Sequence, residues 1–138
     1  MSLVFVGLEL RQSTAAARAQ TRQGLADRNA EVIYAVAENP ELARAWSLRW
    51  TVDSEVTGSM SATDSVQAGW AMFGMLRHVE NVVLQVQEGV IDETVQNSYG
   101  FRYNANFETP QFKAYWPTIR HRFDERFVEA FELEYGLQ

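Results

Sequence analysis

Residues 66–91 read VQAGWAMFGMLRHVENVVLQVQEGVI, and the spacing of their apolar positions decides the fold. At about 100° per residue, Met72, Met75, Leu76, Val79, Val82, Val83, Val86 and Val90 share one wide arc, with Phe73 and Leu84 at its edges. That is one face of an amphipathic helix. Ser61-x-x-Asp64 just ahead has the form of a capping box with Asp in place of Glu, and Gly89 supplies a C-terminal stop. The period therefore predicts a central helix from Ser61 to about Gly89.

Glu80 falls inside the apolar arc, with Leu76 and Leu84 four residues to either side, and Gln87 lies one heptad further on the same stripe. An isolated carboxylate is very costly in an apolar interior, so Glu80 requires a partner or a proton. Arginine is the natural partner because its fork satisfies both oxygens. Arg44, Arg49, Arg102, Arg120 and Arg122 lie on other helices, and Arg77 lies three residues away on the same one. Three readings follow. The residues favour a Glu–Arg clamp that fixes helix packing. The second is a ligand-binding spot made of Glu80, Gln87 and Arg77, walled by Trp70 and Trp116. The third makes Glu80 a catalytic acid or base, with His78 as the other catalytic candidate. His78 projects opposite the arc, beside Gln85, and is expected at an exposed or boundary position.

Outward from this helix the whole chain reads helical, without period-2 alternation bounded by hairpin turns. A first helix is expected from about Ser2 to Glu38. Ala16, Ala19, Gln23, Ala26, Ala30, Ile33 and Ala37 recur at three- and four-residue steps, a seam of mostly small side chains that admits a second helix closely, flanked by Leu25, Val32 and Val36. Asn39-Pro40 ends it and restarts the chain, with Leu42, Trp46 and Trp50 on one face of the next helix. Thr51–Met60 reads as a polar loop. Asp92 opens a fourth helix carrying Val95, Tyr99, Tyr103 and Phe107, Thr109-Pro110 caps a fifth with a kink at Pro117, and Asp124 caps the last. The expected architecture is an all-α bundle of five or six helices in one domain spanning residues 1–138. Gly69 and Gly74, inside the central helix, are expected at close helix approaches.

The chain has 138 residues, 46% hydrophobic and 22% charged, values of a folded domain rather than a disordered one. It has no cysteine, which excludes disulfides, thiolate metal sites and cysteine nucleophiles. A net charge of −6, without a basic stripe interleaved with aromatics, argues against a nucleic-acid binder that works by neutralising phosphates. No nucleophile elbow or phosphate loop is present. His121, Asp124 and Glu125 have ligand-like spacing, but Asp124 reads as a cap that breaks the helix, so neither a metal nor another cofactor is expected.

Charge is uneven. Residues 1–30 carry four arginines against two acids, while the rest of the chain is acidic. Leu3-Val4-Phe5-Val6-Gly7-Leu8 is an apolar run too short for the roughly 20 residues of a membrane span. It packs on the bundle or a second subunit, or it is the end of a span, with residues 1–12 the remnant of an anchor. In the second case Arg11, Arg18 and Arg22 favour the cytoplasmic side.

The order Asn39-Pro40-Glu41-Leu42-Ala43-Arg44, Arg77, Glu80-Asn81, Gln85, Glu88-Gly89, Asp92-Glu93, Phe112, Trp116, Arg120, Phe123-Asp124 and Phe127-Val128 resembles a group of uncharacterised bacterial proteins. Those have one N-terminal transmembrane helix followed by a helical domain. The resemblance implies an all-helical fold and a shortened anchor at Leu3–Leu8, and it brings no activity or catalytic residue. Most of the span is missing here, Tyr115-Trp116 stands where a Trp pair is common, and Pro117 follows it.

The functional expectation is a helical domain that acts by association. It is a homodimer through the first helix, cytoplasmic, with membrane contact through residues 3–8 at the inner face of the inner membrane. The alternative is a small enzyme or small-molecule binder with an inter-helical pocket centred on Glu80.

Overall fold

Side-chain caps set most of the helix boundaries. The computed structural model describes residues 3–50 and 59–137, and every regular element among them is helical. The α-helices are α1 (Leu3–Ala37), α2 (Pro40–Trp50), α3 (Ala62–Gln87), α4 (Glu93–Gln96), α5 (Ala105–Glu108), α6 (Pro110–Ile119) and α7 (Glu125–Tyr135). Short 3-10 turns span Asn97–Tyr99 and Arg120–Arg122. Asn39 Oδ1 accepts the N–H groups of Glu41 and Leu42 and so starts α2. Ser61 and Asp64 form the reciprocal capping box of α3, Thr109 caps α6, and Asp124 caps α7. Helix α3 ends before Gly89, whose φ of 69° closes the helix in the left-handed region. The expected Thr51–Met60 loop lies almost wholly outside the described residues.

The fourth helix differs from its expectation. Val95, Tyr99, Tyr103 and Phe107 keep helical spacing, yet the chain turns left-handed at Gly100 (φ 77°) and again at Tyr103 (φ 57°). Asn104 then re-caps the chain by accepting the N–H of Asn106. One expected helix thus becomes α4, a 3-10 turn and α5, which raises the number of segments. Tyr103 is exposed while Phe107 is fully buried. Helix α6 continues two residues past Pro117 before tightening into the Arg120–Arg122 turn.

Two clusters share the circumference of α3. The larger packs Met72, Leu76, Val79 and Val83 against Trp50, Phe107, Phe112, Trp116, Phe123, Phe127 and Phe131. Trp116 stacks on Phe112 at 6.2 Å and lies 4.8 Å from Phe131. Such aromatic pairs add to the burial of large apolar area. The smaller cluster joins Leu25 of α1 to Val82 and Ile91. Between α2 and α3, Trp50 Nε1 donates to the carbonyl of Ala68 at 3.3 Å, and Arg44 pairs with both oxygens of Asp64.

Only part of α1 belongs to this body. Leu25 is buried and Thr21, Asn29, Val32 and Val36 are half-buried along one stripe, so these positions form its main packed face; Ala30, on the seam, is half-buried as well. The small-residue seam from Ala16 to Ala37 is centred roughly 140° round the helix from that face, and Ile33 is 55% exposed. Every described side chain from Phe5 to Gln20 is exposed. No described helix is long and apolar enough to cross a membrane. The glycine expectation holds only in part: a Cβ at Gly69 would meet the Tyr115 hydroxyl at 3.8 Å, ordinary contact, whereas one at Gly74 would meet open space.

This orientation of α1 separates two apolar truncations. Leu25→Ala is expected to cost about 2–4 kcal/mol through lost burial and a residual cavity, and Ile33→Ala less than about 0.5 kcal/mol, both read from urea unfolding midpoints. Similar costs at both positions would mean that α1 packs on a different face.

Candidate functional site

Glu80 is 7% exposed and both its oxygens have protein donors. Oε1 accepts the backbone N–H of Asp124 at 2.7 Å, and Oε2 accepts Nη1 of Arg77 at 2.7 Å. The second nitrogen of the fork, Nη2, donates to the carbonyl of Arg122 at 2.6 Å. The guanidinium lies 5.2 Å from the ring of Phe73 and 4.7 Å from that of Phe123. This is the geometry of a clamp. It joins α3 to the turn before α7, and the arginine comes from the same helix rather than from a neighbour.

The other expected ligand-binding residues are dispersed. Gln87 is exposed, with its Nε2 3.4 Å from the carbonyl of Arg126. Trp116 is in the core, its Nε1 donating to Glu132 Oε1 at 2.9 Å. Arg120 grips both oxygens of the same Glu132, at 2.6 and 2.9 Å, so it is not available to Glu80. Trp70 is 60% exposed on the outer face of α3. The structure brings Arg77 to Glu80 and leaves Gln87, Trp70 and Trp116 elsewhere.

His78 requires a correction. Its expected exposed or boundary position is in fact 4% exposed, because α1 and the Tyr99 turn cover the side of α3 away from the aromatic core. Its ring meets Tyr99 edge-on at 5.6 Å, and neither ring nitrogen has a hydrogen-bond partner. Burial, helped by the charge of Arg28, lowers its pKa from the usual 6.5. His78 is thus held neutral as a packing group.

Among the described residues, the densest run of exposed large apolar side chains in sequence lies on α1. Phe5, Val6, Leu8 and Leu10 all face solvent, and they point in all directions round the helix rather than along one stripe. Further along, Leu10, Arg11, Thr14, Ala15, Arg18, Ala19, Arg22, Gln23, Ala26 and Tyr99 line an open groove of about 830 Å³. Arg11, Arg18 and Arg22 form one flank of it, at i, i+7 and i+11, and none has a carboxylate within ion-pair distance among the described residues. Arg18 reaches only the carbonyl of Gly89, at 3.5 Å. Asp92 nearby is held below its ordinary pKa, first by its hydrogen bonds from Thr94 and lastly by the charge of Arg22. Sequence reading finds the apolar run and the small-residue seam. It does not find that both stay uncovered, because that depends on which face of α1 meets α3.

Comparison with protein-family models, with curated proteins and with solved structures finds no match to this chain.

The clamp predicts a graded response at Glu80. Glu80→Ala leaves the Asp124 N–H and Nη1 of Arg77 without an acceptor and is expected to destabilise by about 3 kcal/mol. Glu80→Gln retains one oxygen for the Asp124 N–H and is expected to cost less, both measured by urea unfolding. A neutral Glu80→Ala would show that the carboxylate holds nothing.

Stability should also fall with acid in two separable windows. His78 takes up a proton more readily unfolded than folded, so stability is complete above the unfolded pKa of about 6.5 and declines as pH falls below it. Hydrogen bonds from Arg44, then from Ser61, hold Asp64 at about 2. Its contribution is present above the ordinary carboxylate value and is lost as pH falls from about 4 towards 2. Unfolding midpoints against pH should lose the first slope in His78→Phe and show a shallower second slope in Asp64→Asn, where Asp92 and Asp124, also held below the ordinary carboxylate value, still contribute.

Proposed function

We propose that this chain is an association domain whose working surface is the outer face of α1, and that a second copy covers it. The reading is supported above all by one observation: apart from the half-buried Ala30, the seam from Ala16 to Ala37 is exposed in a single copy, with Ala19, Gln23 and Ala26 lining the open groove beside Tyr99. Small side chains at three- and four-residue steps have little apolar bulk to contribute to a core. Their use is to let another backbone approach closely. At about 1.5 Å per residue, the 35-residue α1 is about 52 Å long, and only its second half rests on α2 and α3. An isolated helical arm is marginal in water, so a partner that packs along it stabilises it.

The same arm supports a second reading through a different feature. Phe5, Val6, Leu8 and Leu10 surround the helix with apolar area, and the arginines begin at Arg11. That order suits contact through residues 3–8 with a bilayer carrying anionic headgroups on the cytoplasmic side.

Sedimentation equilibrium of the full chain tests the first reading. The expected species at micromolar concentration has twice the 15.7 kDa chain mass. Ala26→Arg, which is exposed in a single copy, should return it to the monomer without changing helix content. A monomer at every concentration contradicts pairing. A monomer that floats with vesicles containing anionic lipid transfers the function of α1 to membrane contact.

A further inference from the structure

Six of the described arginines have a carboxylate within ion-pair distance: Arg28, Arg44, Arg77, Arg102, Arg120 and Arg126. Among those without one, Arg49 and Arg122 converge. Arg49 is in the last turn of α2 and Arg122 ends the turn before α7, some seventy positions later, yet both line one niche of about 170 Å³ on the outer side of α3. Ser65, Val66, Gly69, Trp70, Phe73 and Tyr115 complete its wall, and among the described residues no acidic side chain lines it. In a chain with a net charge of −6, two guanidinium groups lining one niche with no carboxylate at ion-pair distance among the described residues are costly unless something else supplies the charge.

The orientation of the two groups shows what they present. The Arg49 guanidinium lies 5.3 Å from the Trp50 ring and 5.8 Å from the Tyr115 ring. That of Arg122 lies 5.9 Å from Trp70 and 5.2 Å from Phe73. Aromatic neighbours at this range steady a cation without consuming its N–H groups, which remain available as a fork. Arg49 spends Nη1 on the Ser65 hydroxyl oxygen at 2.7 Å, which leaves the Ser65 proton free to donate. The Tyr115 hydroxyl donates to the carbonyl of Gly69 at 3.2 Å. Burial raises the pKa of Tyr115 while both arginines pull it down, so both charges are felt at one point. The niche is smaller than the roughly 300 Å³ at which drug-sized pockets begin, so it has room for a charged head and not for a whole organic ligand.

We propose that this niche binds a doubly charged tetrahedral oxyanion, a phosphoryl group, between Arg49 and Arg122. The Ser65 hydroxyl donates a further hydrogen bond, and the exposed face of Trp70 flanks whatever carries the group. Two arginine forks match the charge and the several acceptor oxygens of phosphate better than they match a single carboxylate. The phosphoryl group arrives either as free phosphate or as a small monoester whose apolar body lies over Trp70.

The test is a ¹H–¹⁵N titration of the full-length protein at physiological salt, where non-specific surface attraction is screened, with inorganic phosphate in one arm and phenyl phosphate in the other. Saturable shifts are expected at the Trp70 indole N–H and at the amides of Ser65 and Gly69. Arg122→Gln should weaken binding by about tenfold or more through loss of a charge-assisted fork. Its side chain donates no hydrogen bond to the described residues, so the unliganded protein should lose only its cation–π contacts with Trp70 and Phe73 and still unfold cooperatively with a small drop in melting temperature. Ser65→Ala should weaken binding less. Tighter binding of phenyl phosphate identifies a monoester, and equal affinity identifies the free anion. Non-saturating shifts, shifts confined to the Arg11–Arg22 flank of α1, or unchanged affinity in Arg122→Gln would overturn the assignment.

Discussion

A carboxylate sits where the helical period demands an apolar side chain, and the arrangement of the C-terminal third of this protein follows from how it is satisfied. Glu80 is almost wholly withdrawn from the surface, so donors must come from the chain, and they come from Arg77 and from the backbone of Asp124. The Asp124 amide is committed to α3 while the Asp124 side chain caps α7. The acid on α3 thereby sets where the last helix begins. Phe127 and Phe131, three and seven residues on, then fall against Trp116. Arg77 extends the same constraint by holding the carbonyl of Arg122 and packing beside Phe73 and Phe123. The Arg122 side chain is left over Trp70 and Phe73, where it meets the niche shared with Arg49. One buried charge organises the aromatic core under α3 and the cationic surface beside it.

The opposite flank of α3 is built differently. There α1 lies against Val82 and Ile91 through Leu25 and buries His78 without giving either ring nitrogen a partner. That contact is narrow, since α1 contributes one fully buried side chain. A long helix held by its second half alone leaves apolar turns and a small-residue seam in water, which is an unfavourable state for an isolated chain. Covering that surface is the physical reason to assign association to α1. It also separates two roles within the molecule: a rigid aromatic body and an arm.

Features decided within a few residues were legible before any coordinates. The inward turn of Glu80, the Ser61–Asp64 box, the caps at Asn39, Thr109 and Asp124, and the length of α1 depend on helical period and local hydrogen bonding. What was not legible depends on distant elements. His78 projects away from the apolar arc, and only the position of α1 turns that side inward. Arg120 was as good a partner for Glu80 as Arg77 until Glu132 claimed it. The i, i+4 series from Val95 to Phe107 was broken by Gly100 and by Tyr103, whose left-handed φ no apolar pattern signals. The Arg49–Arg122 niche joins residues far apart in sequence, so no spacing rule could find it.

The protection of a single amide is the most direct measure of the constraint from which the rest follows. If the Asp124 N–H is bound to Glu80 inside the fold, its hydrogen exchange should proceed only through global unfolding, at the free energy given by denaturant and as slowly as the core amides of α3. Exchange of that amide at the rate of an exposed helix N-terminus, while the α3 core stays protected, would show that the carboxylate does not hold the last helix and would contradict the account.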